Sequence, residues 1–205
     1  MFRIFLIKLI LFSWTAPALA DVFKIEDNIL YYDTENSDIT NEVSEGHEKE
    51  LLTILKEHNE IDTLILNSGG GLVYVANEMA DLVIDARLDT HVEFSCESSC
   101  ATVFLAGKKR SLALGGRIGF HKSYWESDSI KEYYESEKET EGWSNIFDFA
   151  SWMYEDTQSE IFTEFEYLIE RGVTPKFAIE TLRAGSDGMW YPRRSKLFEG
   201  GVLTD

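Results

Sequence analysis

The sequence predicts an α/β fold in which short, buried, parallel strands alternate with helices. Apolar runs of strand length recur, each is followed by a turn of small residues, and a helical apolar pattern follows each turn. The two clearest units read "IDTLILN" before "SGGG" and "LVYVANEMADLVIDA", and "THVEFS" before "CESSCATVFLAG". Such an alternation favours a parallel sheet whose strands are joined by right-handed crossovers.

The segments before these two units predict a hairpin and a helix. "DVFKIEDNILYYDTEN" alternates in part between polar and apolar residues, which predicts a β-hairpin that turns at Asp27 and Asn28. "NEVSEGHEKELLTILKEHNE" has leucine and isoleucine at helical spacing, which predicts an amphipathic helix. We expect His47 and His58 to lie on the polar, solvated face of that helix.

The C-terminal part of the sequence predicts mainly helices. "KRSLALGG" and "RIGFH" are two more short strands, and the residues from about Ser127 to Ala184 carry aromatic side chains at helical spacing, typical of a core or an interface. The last predicted helix has Thr174 as its N-cap and Pro175 in its first position. We expect "DGMWYPRRSKLFEGGVLTD" to close the chain with a short strand, a turn and a tail.

Residues 1–20 have the layout of a secretory signal peptide. Arg3 and Lys8 accompany an apolar stretch, and an A-x-A cleavage signature ends at Ala20. The alternative is an uncleaved anchor, but the apolar run is shorter than the roughly 20 residues that a membrane helix needs. We therefore expect a mature protein of one domain, residues 21–205, that is periplasmic or secreted and keeps no stable membrane span after cleavage.

The composition is strongly acidic. The chain has 37 acidic and 19 basic residues, which gives a formal net charge of −18. This charge argues against nucleic acid and anionic membranes as partners, because both repel such a chain. Much of the excess lies in "SYWESDSIKEYYESEKETEGW" and "YEDTQSEIFTEFEYLIE", which predicts a solvated acidic helical face. The alternative is a preference for basic partners or substrates.

The only two cysteines, Cys96 and Cys100, lie four residues apart. On a turn or a first helical turn, this spacing places their Cα atoms about 6 Å apart, within disulfide range. An oxidising compartment favours a disulfide over the alternatives, which are free thiols and a metal site. The four histidines show no ligand spacing, so we expect no metal. A disulfide here would fix the backbone around Ser98 and Ser99.

Two strand exits carry residues suited to binding a developing negative charge. In an α/β sheet, ligands gather at the carboxyl ends of the strands. The glycines of "LNSGGG" allow the backbone to turn its N–H groups outward, and the serines of "FSCESSC" begin a helix whose first N–H groups are unpaired. Together the two turns would suit an oxyanion hole, although each alone is also an ordinary turn or cap. The glycine turn lacks the Lys-Ser/Thr pair of a phosphate loop.

His121 follows the strand "RIGF" and is a candidate general base, because imidazole titrates near neutral pH. The alternative is a histidine that caps an element or packs in the core. Sequence position alone does not distinguish these two roles.

Three motifs occur in an order that resembles a known family. "LNSGGG", "CESSCATVFLAG" and "RIGFHKS" resemble, in that order, the motifs of the Clp protease proteolytic subunits, which belong to the ClpP/crotonase superfamily. The sequence is more similar still to a secreted, ClpP-like branch described as predicted periplasmic proteins, which carries a Cys-x-Ser-x-Cys turn. The resemblance covers roughly residues 60–205 and implies repeated ββα layers with a parallel sheet and C-terminal helices.

By position, the resemblance implies the site of a serine hydrolase, most specifically a peptidase. The nucleophile falls on Ser98 and the base on His121. The acid best fits Asp187, although its distance from the closing "SKLFEGGVLT" segment differs by about two residues from the family pattern. Asp187 equally fits a turn residue before a glycine. The backbone donors of the oxyanion hole fall on Ser99 and on Gly70 or Gly71.

Two alternatives stay open. A Ser–Lys dyad, as in signal-peptide peptidases of the same superfamily, would use Lys108, Lys109 or Lys122, none of which matches a family base. The protein could instead be a non-catalytic module that keeps the scaffold and binds a peptide or acyl ligand. Superfamily members commonly assemble, which implies a homo-oligomer, and the resemblance implies neither a metal nor an organic cofactor.

Overall fold

The computed structural model describes residues 22–37, 40–185 and 187–205. The predicted signal peptide, residues 1–20, lies outside the described residues, so its cleavage stays a prediction. No helix of the described residues has both the length and the apolar character needed to cross a bilayer.

Six strands form one mostly parallel sheet, which confirms the predicted α/β class. The strands are paired in the order β1-β2-β3-β4-β5, and β6 also pairs with β4. The β1–β2 hairpin is antiparallel and turns at the predicted position, whereas every other pairing is parallel. The strands are β1 (Phe23–Glu26), β2 (Ile29–Asp33), β3 (Thr63–Ser68), β4 (Asp89–Glu97), β5 (Arg110–Leu112) and β6 (Arg117–Gly119).

The helices follow the strands as the sequence predicts, and one further short helix, Arg194–Glu199, lies near the C-terminus. Helices α1 and α3 both contact α2, and α3 also packs against β4. Their apolar faces and the fully buried Leu64 and Leu66 of β3 belong to one continuous core. The helices are α1 (His47–Glu57), α2 (Val73–Ala86), α3 (Ser99–Leu105), α4 (Ser127–Glu137), α5 (Ile146–Glu170), α6 (Pro175–Thr181) and α7 (Arg194–Glu199).

Strand β4 is the longest strand and carries the neighbours of the site on both edges. On one edge, β5 pairs with its first half and β6 with its second half. On the other edge, the register to β3 shifts between Leu66 and Ser68, so that Ser68 lies opposite Cys96. The Asn67 side chain occupies this irregularity, because its Oδ1 accepts a hydrogen bond from the Ser95 N–H at 3.4 Å. The bulge therefore sets where β4 ends relative to the glycine turn after β3.

The C-terminal end of α3 is held by two arginines. Arg110 is buried and donates hydrogen bonds to four backbone carbonyls, including those of Leu105 and Val202. Arg171 donates to the carbonyls of Leu105 and Ala106. The last carbonyls of a helix lack partners within it, and cations are favourable there. These contacts fix the helix whose other end begins beside Ser98.

Helices α4 and α5 form an aromatic layer outside the main core. Tyr133, Trp143, Phe149 and Trp152 contact one another, and the ring centroids of Trp143 and Trp152 lie 4.9 Å apart. Residues 157–163 of α5, in contrast, are exposed on every side of the helix. The helix packs again at its C-terminal end, where the Tyr167 hydroxyl donates to a carbonyl of α3 at 2.7 Å.

The structure differs from the sequence prediction in two places. His47 is buried rather than solvated, because its Nδ1 lies 2.8 Å from the Tyr32 hydroxyl of β2. His58 is partly exposed and pairs with Glu60. The closing segment contains helix α7 in place of a plain turn and tail, and the predicted short strand is only a single bridge between Phe120 and Trp190. The predicted N-cap and N1 residues of α6 are confirmed.

Candidate active site

Ser98 lies at the corner between β4 and α3 in an unusual backbone conformation. Its φ of 54° and ψ of −129° fall in a region that non-glycine residues rarely adopt. Such a conformation costs of order 1–3 kcal/mol and persists only where the surroundings impose it. The Ser98 N–H donates to the Gly119 carbonyl of β6 at 3.0 Å. The sheet therefore extends its pairing to the serine, which is half-buried with its hydroxyl at the corner.

His121 is placed beside Ser98 by the neighbouring strand. It follows β6 by two residues, and Phe120 between them exchanges two backbone hydrogen bonds with Trp190, at 2.9 and 2.8 Å. His121 Nε2 lies 2.6 Å from Ser98 Oγ. The structure thus brings together the two side chains to which the sequence analysis assigned nucleophile and base. A neutral imidazole at this distance can take the proton of an attacking hydroxyl.

The other nitrogen of the His121 ring is not bound by the expected carboxylate. His121 Nδ1 is buried and has no hydrogen-bond partner in the described part of the chain. Asp187 is exposed in a tight turn closed by a 3.2 Å hydrogen bond from the Gly188 N–H to the Gly185 carbonyl. Its carboxylate folds back over Gly185, 3.0 Å from where a Cβ there would lie. The predicted contact between this acid and the base is therefore not formed in the structure.

The segment that contains Asp187 nevertheless runs beside His121. The Lys122 N–H donates to the Ala184 carbonyl at 3.2 Å, and Phe120 pairs with Trp190 on the other side of the turn. The turn that presents Asp187 is thus fixed at both ends next to His121. The segment that the sequence analysis assigned to the acid thus lies beside His121, but the Asp187 carboxylate contacts Gly185 rather than the imidazole.

The glycine turn packs directly against the serine corner. Gly70 has a φ of 94°, and a Cβ on it would lie 2.7 Å from both the Glu97 carbonyl oxygen and Ser98 Cβ. The Ser99 hydroxyl donates to the Gly71 carbonyl at 3.2 Å. The two predicted turns therefore meet, because only a residue without a side chain allows this approach.

The proposed oxyanion donors differ in whether their N–H groups already bind an acceptor within the chain. Ser99 opens α3, so its N–H has no carbonyl one helical turn earlier to bind. The Gly70 N–H, in contrast, donates to Ser68 Oγ at 3.2 Å. Gly71 bridges to Val43, whose N–H and carbonyl bind Gly70 and Leu72 on either side of it. Of the proposed donors, the Gly70 N–H is therefore already hydrogen-bonded within the chain.

Cys96 and Cys100 form a disulfide, which confirms the prediction for this pair. Their Cα atoms lie 5.3 Å apart, and both residues are buried in the main core. The bond joins the penultimate residue of β4 to the second residue of α3. It therefore spans the corner at whose centre Ser98 lies.

Sequence reasoning missed a polar cluster next to Ser98. The Arg117 guanidinium lies 3.0 Å from the Glu97 carboxylate and 4.8 Å from the centre of the Tyr191 ring. Ser95 Oγ donates to Glu97 at 2.6 Å. Burial, followed by a hydrogen bond to Glu97, raises the pKa of Tyr191. The charge of Glu97 beside Ser98 is thus compensated, and only the pairing register of β4 and β6 could have predicted this.

Among the described residues, no group of three or more histidine, cysteine, aspartate or glutamate side chains is arranged to hold a metal ion. The lysines of the alternative dyad make no hydrogen bond to Ser98 in the described chain, and its hydroxyl is bound by His121.

The fold resembles that of ClpP. No protein-family model matches the sequence, and no curated protein matches it. ClpP1 from Listeria monocytogenes is similar in structure, with 13% sequence identity and a TM-score of 0.54. A point mutant of that ClpP1 gives 16% identity and a TM-score of 0.50. Each comparison covers 79% of this chain and 84% of the other. At this identity the likeness shows the fold alone, so the chain has a ClpP-like α/β fold.

Proposed function

We propose that the protein is a serine hydrolase that cleaves peptide bonds, with Ser98 as nucleophile and His121 as general base. The observation that carries this proposal is the 2.6 Å contact between Ser98 Oγ and His121 Nε2. The strained corner at Ser98, the unpaired N–H of a first helical residue and the ClpP-like fold add support.

In the proposed reaction, neutral His121 takes the Ser98 proton while Oγ attacks the carbonyl carbon of the substrate. The backbone N–H groups of Ser99 and of Gly70 or Gly71 bind the oxyanion that forms. Each such donor typically contributes about 100- to 1000-fold in rate. His121 then gives its proton to the leaving amine, and water releases the acyl group from Ser98 by the same steps.

Asp187 remains our proposed orienting acid for His121. The Asp187 carboxylate would have to turn from Gly185 towards His121 Nδ1. Both ends of the segment that carries Asp187 are already fixed beside the base through Ala184 and Trp190. Binding of substrate at Ser98 is the event that we expect to favour the change, because the imidazolium formed there needs a partner for its second N–H.

We further propose that the protein acts in the periplasm or outside the cell, after removal of residues 1–20. The Cys96–Cys100 disulfide supports this location, since disulfides form and persist in oxidising compartments. We also propose that it forms a homo-oligomer, because α5 exposes Phe147, Tyr154 and Phe162 to solvent.

Labelling with a fluorophosphonate probe tests the proposed hydrolase. We expect the folded, oxidised protein to be labelled, Ser98→Ala to lose the label completely and His121→Ala to react at least about 100-fold more slowly. Ser123→Ala is the matched control, because Ser123 is exposed and lies two residues beyond His121. Its labelling is expected to equal that of the wild type. An unlabelled wild type with a native melting curve, or a labelled Ser98→Ala, would contradict the proposal.

A binding module without catalysis is the second candidate. Two observations favour it: His121 Nδ1 has no partner among the described residues, and the Gly70 N–H is bound to Ser68. The same experiment separates the two functions. A module of this kind would leave the probe unreacted, and a peptide or acyl ligand would raise the Tm of both wild type and Ser98→Ala.

A further inference from the structure

We propose that the disulfide between Cys96 and Cys100 positions the Ser98 hydroxyl for attack, so that the hydrolase works fully only when this pair is oxidised. The inference rests on the proposed function, because it concerns the same serine. Cys96 and Cys100 are positioning residues in this proposal. They act through the backbone of Ser98 and do not touch the substrate.

The conformation of Ser98 is the first step of the argument. Its φ of 54° is a left-handed value on a residue with a side chain, and such residues keep it only when their surroundings over-determine it. If the corner relaxed to an ordinary φ, the direction of the Cα–Cβ bond would change. Ser98 Oγ would then move away from His121 Nε2, which is now 2.6 Å distant.

The contacts that impose this conformation are the second step. From β6, the Gly119 carbonyl accepts the Ser98 N–H at 3.0 Å, and the Ala101 N–H of α3 binds the Ser98 carbonyl at 2.9 Å. Gly70 adds contact from the third side. Each hydrogen bond is worth little in net terms. The disulfide is the covalent constraint among them, and it closes the corner on itself two residues before and two residues after the serine.

The shortness of the ring is the third step. The contribution of a disulfide to global stability grows with the length of the loop that it closes. This bond closes a very short loop, residues 96–100, so its contribution to global stability is expected to be small. Alanine differs from each of these buried cysteines by one sulfur atom, so alanine in their places would lose only a small part of the packing. The bond therefore matters more for the local angle at Ser98 than for the stability of the whole fold.

The oxidation state then determines activity. Two thiols form the disulfide by losing two protons and two electrons to a disulfide-bearing oxidant, which becomes a dithiol. In a reducing compartment the pair stays as thiols. A chain made there would hold Ser98 loosely and hydrolyse slowly until it reaches an oxidising compartment.

The test compares oxidised wild type, free of thiols by mass spectrometry, with the double variant Cys96→Ala/Cys100→Ala. Turnover of a peptide or ester substrate and the rate of fluorophosphonate labelling are measured on both. We expect kcat about 100-fold lower in the double variant, because a misplacement of roughly 1 Å typically has that effect. KM and Tm are expected to stay near the wild-type values. Reduction of wild type with dithiothreitol should lower kcat likewise, and reoxidation should restore it.

Each outcome supports or overturns the inference. If kcat is equal in the double variant and the wild type, the inference about the disulfide is overturned, but the proposed hydrolase stands. A change in KM alone has the same meaning. An oxidised, folded wild type that neither turns over nor labels overturns the proposed function itself. If the double variant does not fold, reduced wild type with counted thiols takes its place. If reduced wild type also unfolds, the inference is overturned, since the disulfide would then stabilise the whole domain rather than position Ser98.

Discussion

At the scale of single residues, Gly70 determines how closely the two turns of the site approach each other. Its φ of 94° disfavours any side chain, and its Cα faces the Glu97 carbonyl and Ser98. Gly69 next to it has an ordinary φ, and a Cβ there would meet only the end of the exposed Glu35 side chain, at 3.1 Å. Adjacent glycines of one motif thus have different roles.

Gly70→Ala is therefore expected to impair the site, and Gly69→Ala is its matched control. The new methyl group would lie 2.7 Å from Ser98 Cβ, so the serine corner or the glycine turn must move. We expect labelling of Ser98 by the fluorophosphonate to slow by about 100-fold in Gly70→Ala. Gly69→Ala should label within about threefold of wild type, because a flexible, exposed carboxylate can move aside. Equal labelling in both variants would show that Gly70 does not support the site.

At the scale of elements, α5 carries two neighbouring glutamates, Glu160 and Glu164, whose repulsion destabilises the folded state. Burial, followed by the charge of Glu160, raises the pKa of Glu164. A carboxyl whose pKa is higher in the folded state binds protons more tightly there, so the folded state loses stability as pH rises through that pKa. The penalty is complete above the folded-state pKa of Glu164 and absent below the pKa of an unfolded glutamate. The sign is thus opposite to that of a salt-bridged carboxylate.

Glu164→Gln is expected to stabilise the protein at pH 7. Removal of the i,i+4 repulsion and of the buried charge should raise the free energy of unfolding by about 0.5 kcal/mol. Tm measured at pH 7, 6 and 5 should show a gain that shrinks as pH falls, because the wild-type carboxyl becomes protonated. Glu155→Gln on the same helix is the control, since Glu155 is exposed and has no acidic residue four positions away. A gain that grew towards low pH would refute the assignment.

The elements that the sequence predicted are those with local signals. Turn residues at Asp27 and Asn28 and the cap at Thr174 act within a few residues of themselves, so each is legible in a short window. Helix α7 was missed because its six residues are too few to show a period. His47 was placed on the wrong face because its partner, Tyr32, lies on another element.

The sequence also predicted only part of the candidate site. The contact of Ser98 with His121 follows from the adjacency of β4 and β6, which the order of the motifs implies. The Glu97–Arg117 pair required the exact register of those strands, and the orientation of Asp187 required the shape of a turn. Register and turn geometry arise from tertiary packing and leave no mark in a short stretch of sequence.

At the scale of the whole molecule, a net charge of −18 opposes self-association through the exposed Ile161 and Phe162 side chains of α5. Residues 157–163 of α5 are exposed on all sides, and Phe162 there is 65% exposed. Isolated exposed apolar residues are ordinary, but a helix segment with no packed face is not. Like charges keep copies of the chain apart unless salt screens them.

Self-association is therefore expected to depend on salt. Light scattering after size-exclusion chromatography should give assemblies larger than one chain at 500 mM salt, where the screening length is only about 4 Å. At 10 mM salt, where it is about 30 Å, the equilibrium should shift towards the monomer. Phe162→Ser should weaken the assembly, whereas Phe94→Ser, at a residue of β4 that is also 65% exposed, should not. A monomer at every salt concentration would contradict the proposed homo-oligomer.

The hydrogen bond from the Ser98 N–H to the Gly119 carbonyl, with His121 two residues further on, joins Ser98 and His121 through neighbouring strands of one sheet. Helices α4 and α5 take no part in that link. Related sequences are therefore expected to differ in the length and the surface residues of α4 and α5, while Ser98 and His121 keep their positions on the sheet. Variation among such lineages should accordingly concentrate in residues 126–170.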